Sequence, residues 1–309
     1  MGDIATRQAY GEALAELGKE MDIVVLDADL SKSTKTETFK KAFPERFINC
    51  GIAEGNMVTV AAGLATTGKV VFCSSFAMFA SGRAYEQVRN AIGYPHLPVT
   101  VAATHAGISV GEDGATHQCN EDIGVMRTIP GMTIISPSDA VSTKAFVKLC
   151  AEHDGPVYLR LGRLAVSPVY EEGREFEIGK GYQLTEGNDI TLIATGLMVQ
   201  ECVKAAYELK GMGINARVID MPTIKPIDKD IIVKAAKETG RIITAEEHNI
   251  IGGLGSAVAE VLSENCPCMM KRIGVNDEFG KSGNAKEVLK LFGLSAENVV
   301  KTAKEMLNK

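Results

Sequence analysis

Two kinds of segment take turns along this chain, and their alternation limits what it can fold into. Runs of β-branched and other apolar residues at 23–27, 70–73, 99–103, 132–135 and 157–161 read as strands. Between them, 6–19, 56–67, 82–92 and 139–152 carry apolar residues three and four apart and read as helices. This rhythm predicts an α/β protein: a doubly wound, mainly parallel sheet with helices on both faces and its chemistry in loops at the strands' C-terminal ends. The rhythm breaks between 167 and 188, where Pro168, Gly173, Gly179, Gly181 and Gly187 punctuate a charged stretch. It then resumes with strands at 190–195, 216–220, 241–245 and 269–273, helices at 199–210, 229–238 and 256–263, and short helices from Ala285 and Ala296. The expected organisation is a first domain over 1–166, a linker over 167–188 and a smaller α/β domain over 189–309.

Charge narrows the partners. A net charge of −6 with no run of Lys or Arg argues against nucleic acid. No apolar stretch approaches the roughly 20 residues of a membrane helix, and the N-terminus lacks a basic-then-apolar leader, so a cytoplasmic location is expected. Met1-Gly2 through Thr6 fits a loose acylation pattern, but Asp3 reads better as the cap of the first helix. The seven cysteines are odd in number and scattered, unlike a disulfide framework. Cys266-Pro267-Cys268 is expected in or beside a strand rather than at a metal.

The segment Thr104 to Gln118, T-H-A-G-I-S-V-G-E-D-G-A-T-H-Q, follows a buried-looking strand and is too rich in glycine and polar groups for a helix. Its two histidines and two acids match no standard zinc spacing. They suit proton transfer and hydroxyl recognition, since His titrates near neutrality and Asp accepts hydrogen bonds. A merely solvated loop is the plain alternative.

This loop resembles the transketolase signature, G-V-G-E-D-G-P-T-H-Q, with Ser109 where glycine is often found and Ala115 in place of Pro. The resemblance continues through Gly51-Ile52-Ala53-Glu54-Gly55, Ala28-Asp29-Leu30, Phe76, Phe79, and Glu246-Glu247-His248-Asn249 with Gly252 to Ser256, so it covers nearly the whole chain. It implies the pyrimidine-binding and C-terminal domains of a thiamine-diphosphate enzyme. Glu54 would hydrogen-bond the cofactor's aminopyrimidine ring; read alone, it would simply favour a helix N-terminus. A carboxyl sharing a proton with that ring promotes the tautomer able to accept the thiazolium proton. Phe76 and Phe79 would form the ring's platform, although aromatics three apart are usually core, and Gly82 stands where a further family aromatic falls. Asp29, otherwise a turn residue, matches an acid near the thiazolium. His117 and Asp113 match residues that meet the sugar hydroxyls, with His117 assisting proton transfer. Arg7, Ser33, His105 and Arg163 match those round the terminal phosphate, with Arg160 as the alternative to Arg163; two arginines suit a phosphate. Gly252 to Ser256 falls short of a dinucleotide loop and is read as a structural turn.

The family's G-D-G…N cradle for diphosphate and Mg²⁺ has no counterpart here, and no metal ligands are expected on this chain. The resemblance therefore implies one subunit of a split transketolase in carbohydrate metabolism, acting in the pentose phosphate pathway on sugar phosphates. An N-terminal partner subunit would carry the diphosphate and Mg²⁺ site, and this subunit would dimerise within a heterotetramer. The runners-up are half of a deoxyxylulose-phosphate synthase, a 2-oxo acid dehydrogenase β subunit, and a non-catalytic scaffold. The Glu112-Asp113-Gly114 loop and the phosphate-type arginines speak against the second, and retention of Glu54 and His117 against the third.

Overall fold

The structure is a computed structural model and describes residues 2–308. Among these residues the strands form two large sheets and one small ladder. The first sheet runs, edge to edge, Thr223–Lys225, Thr133–Ile135, Val157–Arg160, Val99–Thr104, Val70–Phe76, Ile23–Asp27 and Phe47–Asn49. All its neighbours pair parallel except Thr223–Lys225, an antiparallel edge strand supplied from beyond residue 189. The second sheet runs Met269–Val275, Arg241–Asn249, Ile190–Ala194, Ala216–Asp220 and Tyr182–Thr185, the last antiparallel. Tyr182–Thr185 lies inside the stretch read as linker.

Continuous burial explains the strands. Ile23–Asp27 and Val99–Thr104 are buried at every position, as central parallel strands covered on both faces must be. Helix Thr6–Leu17 lays Tyr10, Ala13, Leu14 and Leu17 against Ile23, Val25 and Phe72, and Tyr10 Oη meets Ser74 Oγ at 2.7 Å. This fixes the helix N-terminus, with Arg7, at the C-terminal edge of the sheet. Asp3 does not cap this helix. Ile4–Ala5 instead pairs with Ala165–Val166, and Asp3 accepts a hydrogen bond from Ser167 Oγ at 2.8 Å.

Several elements extend past their expected ends. The strand from Val70 runs on to Phe76, and helix Glu54–Ala65 begins at Glu54 itself. The helix expected from 82 starts earlier, at Met78, as two wide π-type turns, Met78–Arg83 and Val88–Gly93, around Tyr85–Gln87. Arg241–Asn249 carries the Glu246-Glu247-His248 motif on a buried strand. The loop after Thr104 contains short helical turns, Ile108–Asp113, broken at Gly111, where φ is +79°. Cys266 and Cys268 are free and lie between helix Leu254–Asn265 and strand Met269–Val275.

A buried polar joint locks the two sheets' units together. Arg160 Nε donates to Asp122 Oδ2 at 2.8 Å, Tyr158 Oη donates to the same oxygen at 2.9 Å, and Arg160 Nη2 donates to the Glu247 main-chain carbonyl at 2.8 Å. Asp122 and Tyr158 are fully buried and Arg160 is nearly so. Arg160 is therefore structural, and Arg163 is the arginine left at the cleft. Stripping one partner from such a pair strands a buried charge. D122A is expected to lower stability by about 3–5 kcal/mol, measured as a shift in the denaturant midpoint at constant slope.

Candidate active site

The C-terminal edge of the first sheet collects the residues singled out in the sequence. Buried Asp27 organises the loop behind it, accepting from Leu30 N–H at 2.6 Å, Thr34 Oγ1 at 2.7 Å and Thr36 Oγ1 at 2.9 Å. That loop carries Asp29, held at φ +65°, and Ser33. Arg7 reaches across from its helix and donates through Nη1 to the Ser33 carbonyl at 2.8 Å and to His105 Nε2 at 2.9 Å.

The last contact settles the histidine's state. A guanidinium can only donate, so Nε2 accepts and the ring proton lies on Nδ1, facing Thr104 Oγ1 at 2.9 Å. Burial, reinforced by Arg7 and Arg163, pushes the His105 pKa down to about 3. The residue sits at φ +57°, a left-handed conformation costly for a non-glycine. Its ring stacks on Phe76 with centroids 3.8 Å apart.

Phe76 and Phe79 are nearly parallel, 14° apart with centroids at 5.9 Å, and His117 meets the Phe79 ring edge-on at 5.5 Å. His117 Nδ1 lies 3.0 Å from Thr116 Oγ1, and among the described residues Nε2 has no hydrogen-bond partner. Phe76, Phe79, His105 and His117 thus form one aromatic floor.

Glu54, 2% exposed, joins this floor through a residue the sequence reading passed over. The Arg83 guanidinium lies over Phe79, 5.0 Å from its centroid, with Nη1 3.4 Å from both Glu54 oxygens. A cation one turn beyond an aromatic and beside Gly82 was the available signal.

Arg7 and Arg163 line one cleft of about 340 Å³ with Ser109, Glu112, Asn284 and Lys286. Arg163 donates to the Val110 carbonyl at 2.6 Å and pairs with Glu112 at 2.8 Å. Burial, and after it the neighbouring Arg163, lowers the Arg7 pKa. Asp29, which accepts from Asn49 Nδ2 at 2.9 Å, and Asp113 are exposed. At the Gly252–Ser256 turn, Glu246 accepts from Leu254 and Gly255 N–H at 2.6 and 2.8 Å, and a Cβ on Gly253 would collide with it. A carboxylate already fills that helix N-terminus, so the turn is structural there. Among the described residues, no three His, Cys, Asp or Glu side chains gather as a metal site, and no helix is long and apolar enough to cross a membrane.

Residues 2–168 match the family model of the transketolase pyrimidine-binding domain, and 179–299 that of the transketolase C-terminal domain. The chain belongs to the transketolase family. A Methanocaldococcus jannaschii protein named for the C-terminal section of transketolase is 54% identical over 98% of this chain and 96% of its own length. A 6-deoxy-6-sulfo-D-fructose transketolase subunit from a Clostridium species is 43% identical over 97% of this chain and 94% of its own length. An apulose-4-phosphate transketolase subunit from Phocaeicola vulgatus is 44% identical, covering 99% of this chain and 98% of that protein. A solved split-gene transketolase described as an inactive beta4 tetramer superposes with a TM-score of 0.91 at 52% identity, covering 99% of both chains. Against human transketolase, 38% identical, all of this chain aligns with 50% of the longer protein. The expected α/β fold of a pyrimidine-binding domain followed by a C-terminal domain is thus that of its family.

His105 gives a pH test. Its folded-state pKa lies below its unfolded value near 6.5, so its stability contribution is present above pH 6.5 and lost as pH falls toward 3. Each unit between contributes about 1.4 kcal/mol. H105Q is expected to lose markedly less stability than wild type between pH 6.5 and 4.5, in denaturant titrations of the unliganded chain at both pH values.

Proposed function

We propose that this chain is the pyrimidine- and sugar-binding subunit of a split transketolase, transferring a two-carbon ketol unit from a ketose phosphate to an aldose phosphate. The observation that carries this reading is the convergence on one sheet edge of a buried carboxyl, a parallel aromatic pair and a cleft lined by two arginines, one of which bonds a neutral histidine. Relatives of matching length named as transketolase subunits support a two-chain enzyme. The partner would be an N-terminal transketolase subunit carrying the diphosphate and Mg²⁺ site, in a heterotetramer of two of each.

The residues present fit thiamine diphosphate, the cofactor the family implies. Glu54 is buried yet held by protein only at 3.4 Å, and it adjoins a flat aromatic surface. Glu54 would bond the aminopyrimidine, Phe76 and Phe79 would pack its face, and Asp29 would lie toward the thiazolium. When bound, the cofactor supplies the electron sink that carries the two-carbon unit between donor and acceptor.

The chain's own residues bind and move protons. As the donor's C2–C3 bond breaks, the C3 hydroxyl proton leaves; as the new carbon–carbon bond forms, a proton returns to the aldose carbonyl oxygen. His117, whose Nε2 has no hydrogen-bond partner among the described residues, takes and gives that proton, and Asp113 accepts from the sugar hydroxyls. Arg7, Ser33, His105 and Arg163 hold the terminal anion. Two guanidiniums in one cleft repel until an anion lies between them, and the names of two relatives specify donors ending in sulfonate or phosphate.

In the assembled enzyme, E54A is expected to lower kcat by about 10³-fold. R163A is expected to raise KM for phosphorylated sugars about 10- to 100-fold, the equivalent of a lost charge-assisted hydrogen bond, with little effect on an unphosphorylated ketose. Steady-state kinetics on both substrate classes check this; a near-normal E54A would remove Glu54 from the mechanism.

A further inference from the structure

None of the residues assigned above to cofactor or sugar lies beyond residue 189, yet that half forms the back wall of the loop joining His105 to His117. Ser109 N–H donates to Glu247 Oε1 at 2.5 Å. Gly107, at φ +78°, leaves no room for a Cβ because the Glu247 carboxyl occupies that space. Gly111 and Gly114 lie against Gly283, Ala285 and Ser282, and Gln118 Nε2 bonds the Ile108 carbonyl at 3.0 Å and the Lys281 carbonyl at 2.9 Å. Glu247 is itself anchored, since its main-chain carbonyl accepts from Arg160.

We propose that Glu247 is a positioning residue: its buried carboxyl holds the Gly107–Gly111 turn through the Ser109 N–H and so sets where His105 and His117 stand relative to each other. It touches neither sugar nor cofactor. Burial drives its pKa up to about 7 despite the nearby Arg160, so an acid stands where a leucine would fill the space without that penalty. What leucine lacks is the acceptor oxygen. In effect the C-terminal domain is a template for the catalytic loop, held through the Ser109 main-chain N–H.

The catalytic half of this inference rests on the transketolase reading; the structural half does not, so the two fail separately. Hydrogen–deuterium exchange on the full chain tests the structural half. In wild type, the Ser109 amide is expected to exchange at least about 100-fold more slowly than an exposed loop amide; exchange at the free-peptide rate would overturn the proposal, with no variant needed. E247L is expected to speed exchange across 107–114 at least tenfold while the sheet amides keep their protection. E247Q, which keeps an acceptor oxygen, is expected to restore that protection. In the assembled enzyme, E247L should lower kcat about 10- to 100-fold with cofactor affinity within twofold, and E247Q should recover most of the loss. Wild-type loop exchange and kcat in E247L, or E247Q as impaired as E247L, would overturn it.

Discussion

The Asp122–Arg160 pair is the contact on which the rest depends. It is buried at the seam between the two α/β units, and its geometry leaves little slack: one guanidinium reaches a carboxylate of the first unit and a main-chain carbonyl of the second. A buried pair of this kind is weak evidence for net stability, because desolvation cancels most of the attraction. Its value is directional. Hydrophobic contact alone would let the two sheets slide, whereas a charge with a single arrangement of partners fixes the orientation. Strand Thr223–Lys225, lent by the second half to the first half's sheet, adds a second fixed point.

From that fixed seam the site follows. The second unit presents Glu247 to the turn at Ser109, the loop ends at His105 and His117 come to rest on the same pair of phenylalanines, and helix Thr6–Leu17 brings Arg7 onto His105. The electrostatics are lopsided. A neutral histidine beside Arg7 and Arg163 is strained toward deprotonation, and the one carboxylate in the cleft, Glu112, is engaged by Arg163. Such an arrangement is poor as a resting structure and consistent with the anion-binding role proposed for it.

Much of this was legible in the sequence, for reasons that can be named. Central parallel strands are buried on both faces and so mostly apolar, which makes Ile23–Asp27 and Val99–Thr104 easy to read, and the amphipathic helices between them fix the α/β rhythm. Thr223–Lys225 is three residues long and carries no periodicity; it is a strand only because Thr133–Ile135 lies beside it. Asp3 looked like a cap because cap chemistry is local, but pairing of Ile4–Ala5 with Ala165–Val166 is not. Arg160 and Arg163 differ by three positions and were separable only by burial, which places one in the seam and the other in the cleft. Arg83, which sits on Phe79 and against Glu54, gave no signal beyond its spacing. Glu247 was visible as part of a motif, but its contact with a main-chain amide 138 positions away was not.

The proposed activity of this chain, with a partner, is transfer of a two-carbon unit between sugar phosphates. The direct measurement mixes it with a purified N-terminal transketolase subunit, thiamine diphosphate and Mg²⁺, and follows product from xylulose 5-phosphate and ribose 5-phosphate. The expected result is sedoheptulose 7-phosphate that disappears when either the partner or the cofactor is left out. No seven-carbon product, with deoxyxylulose phosphate formed instead from pyruvate and glyceraldehyde 3-phosphate, would contradict it.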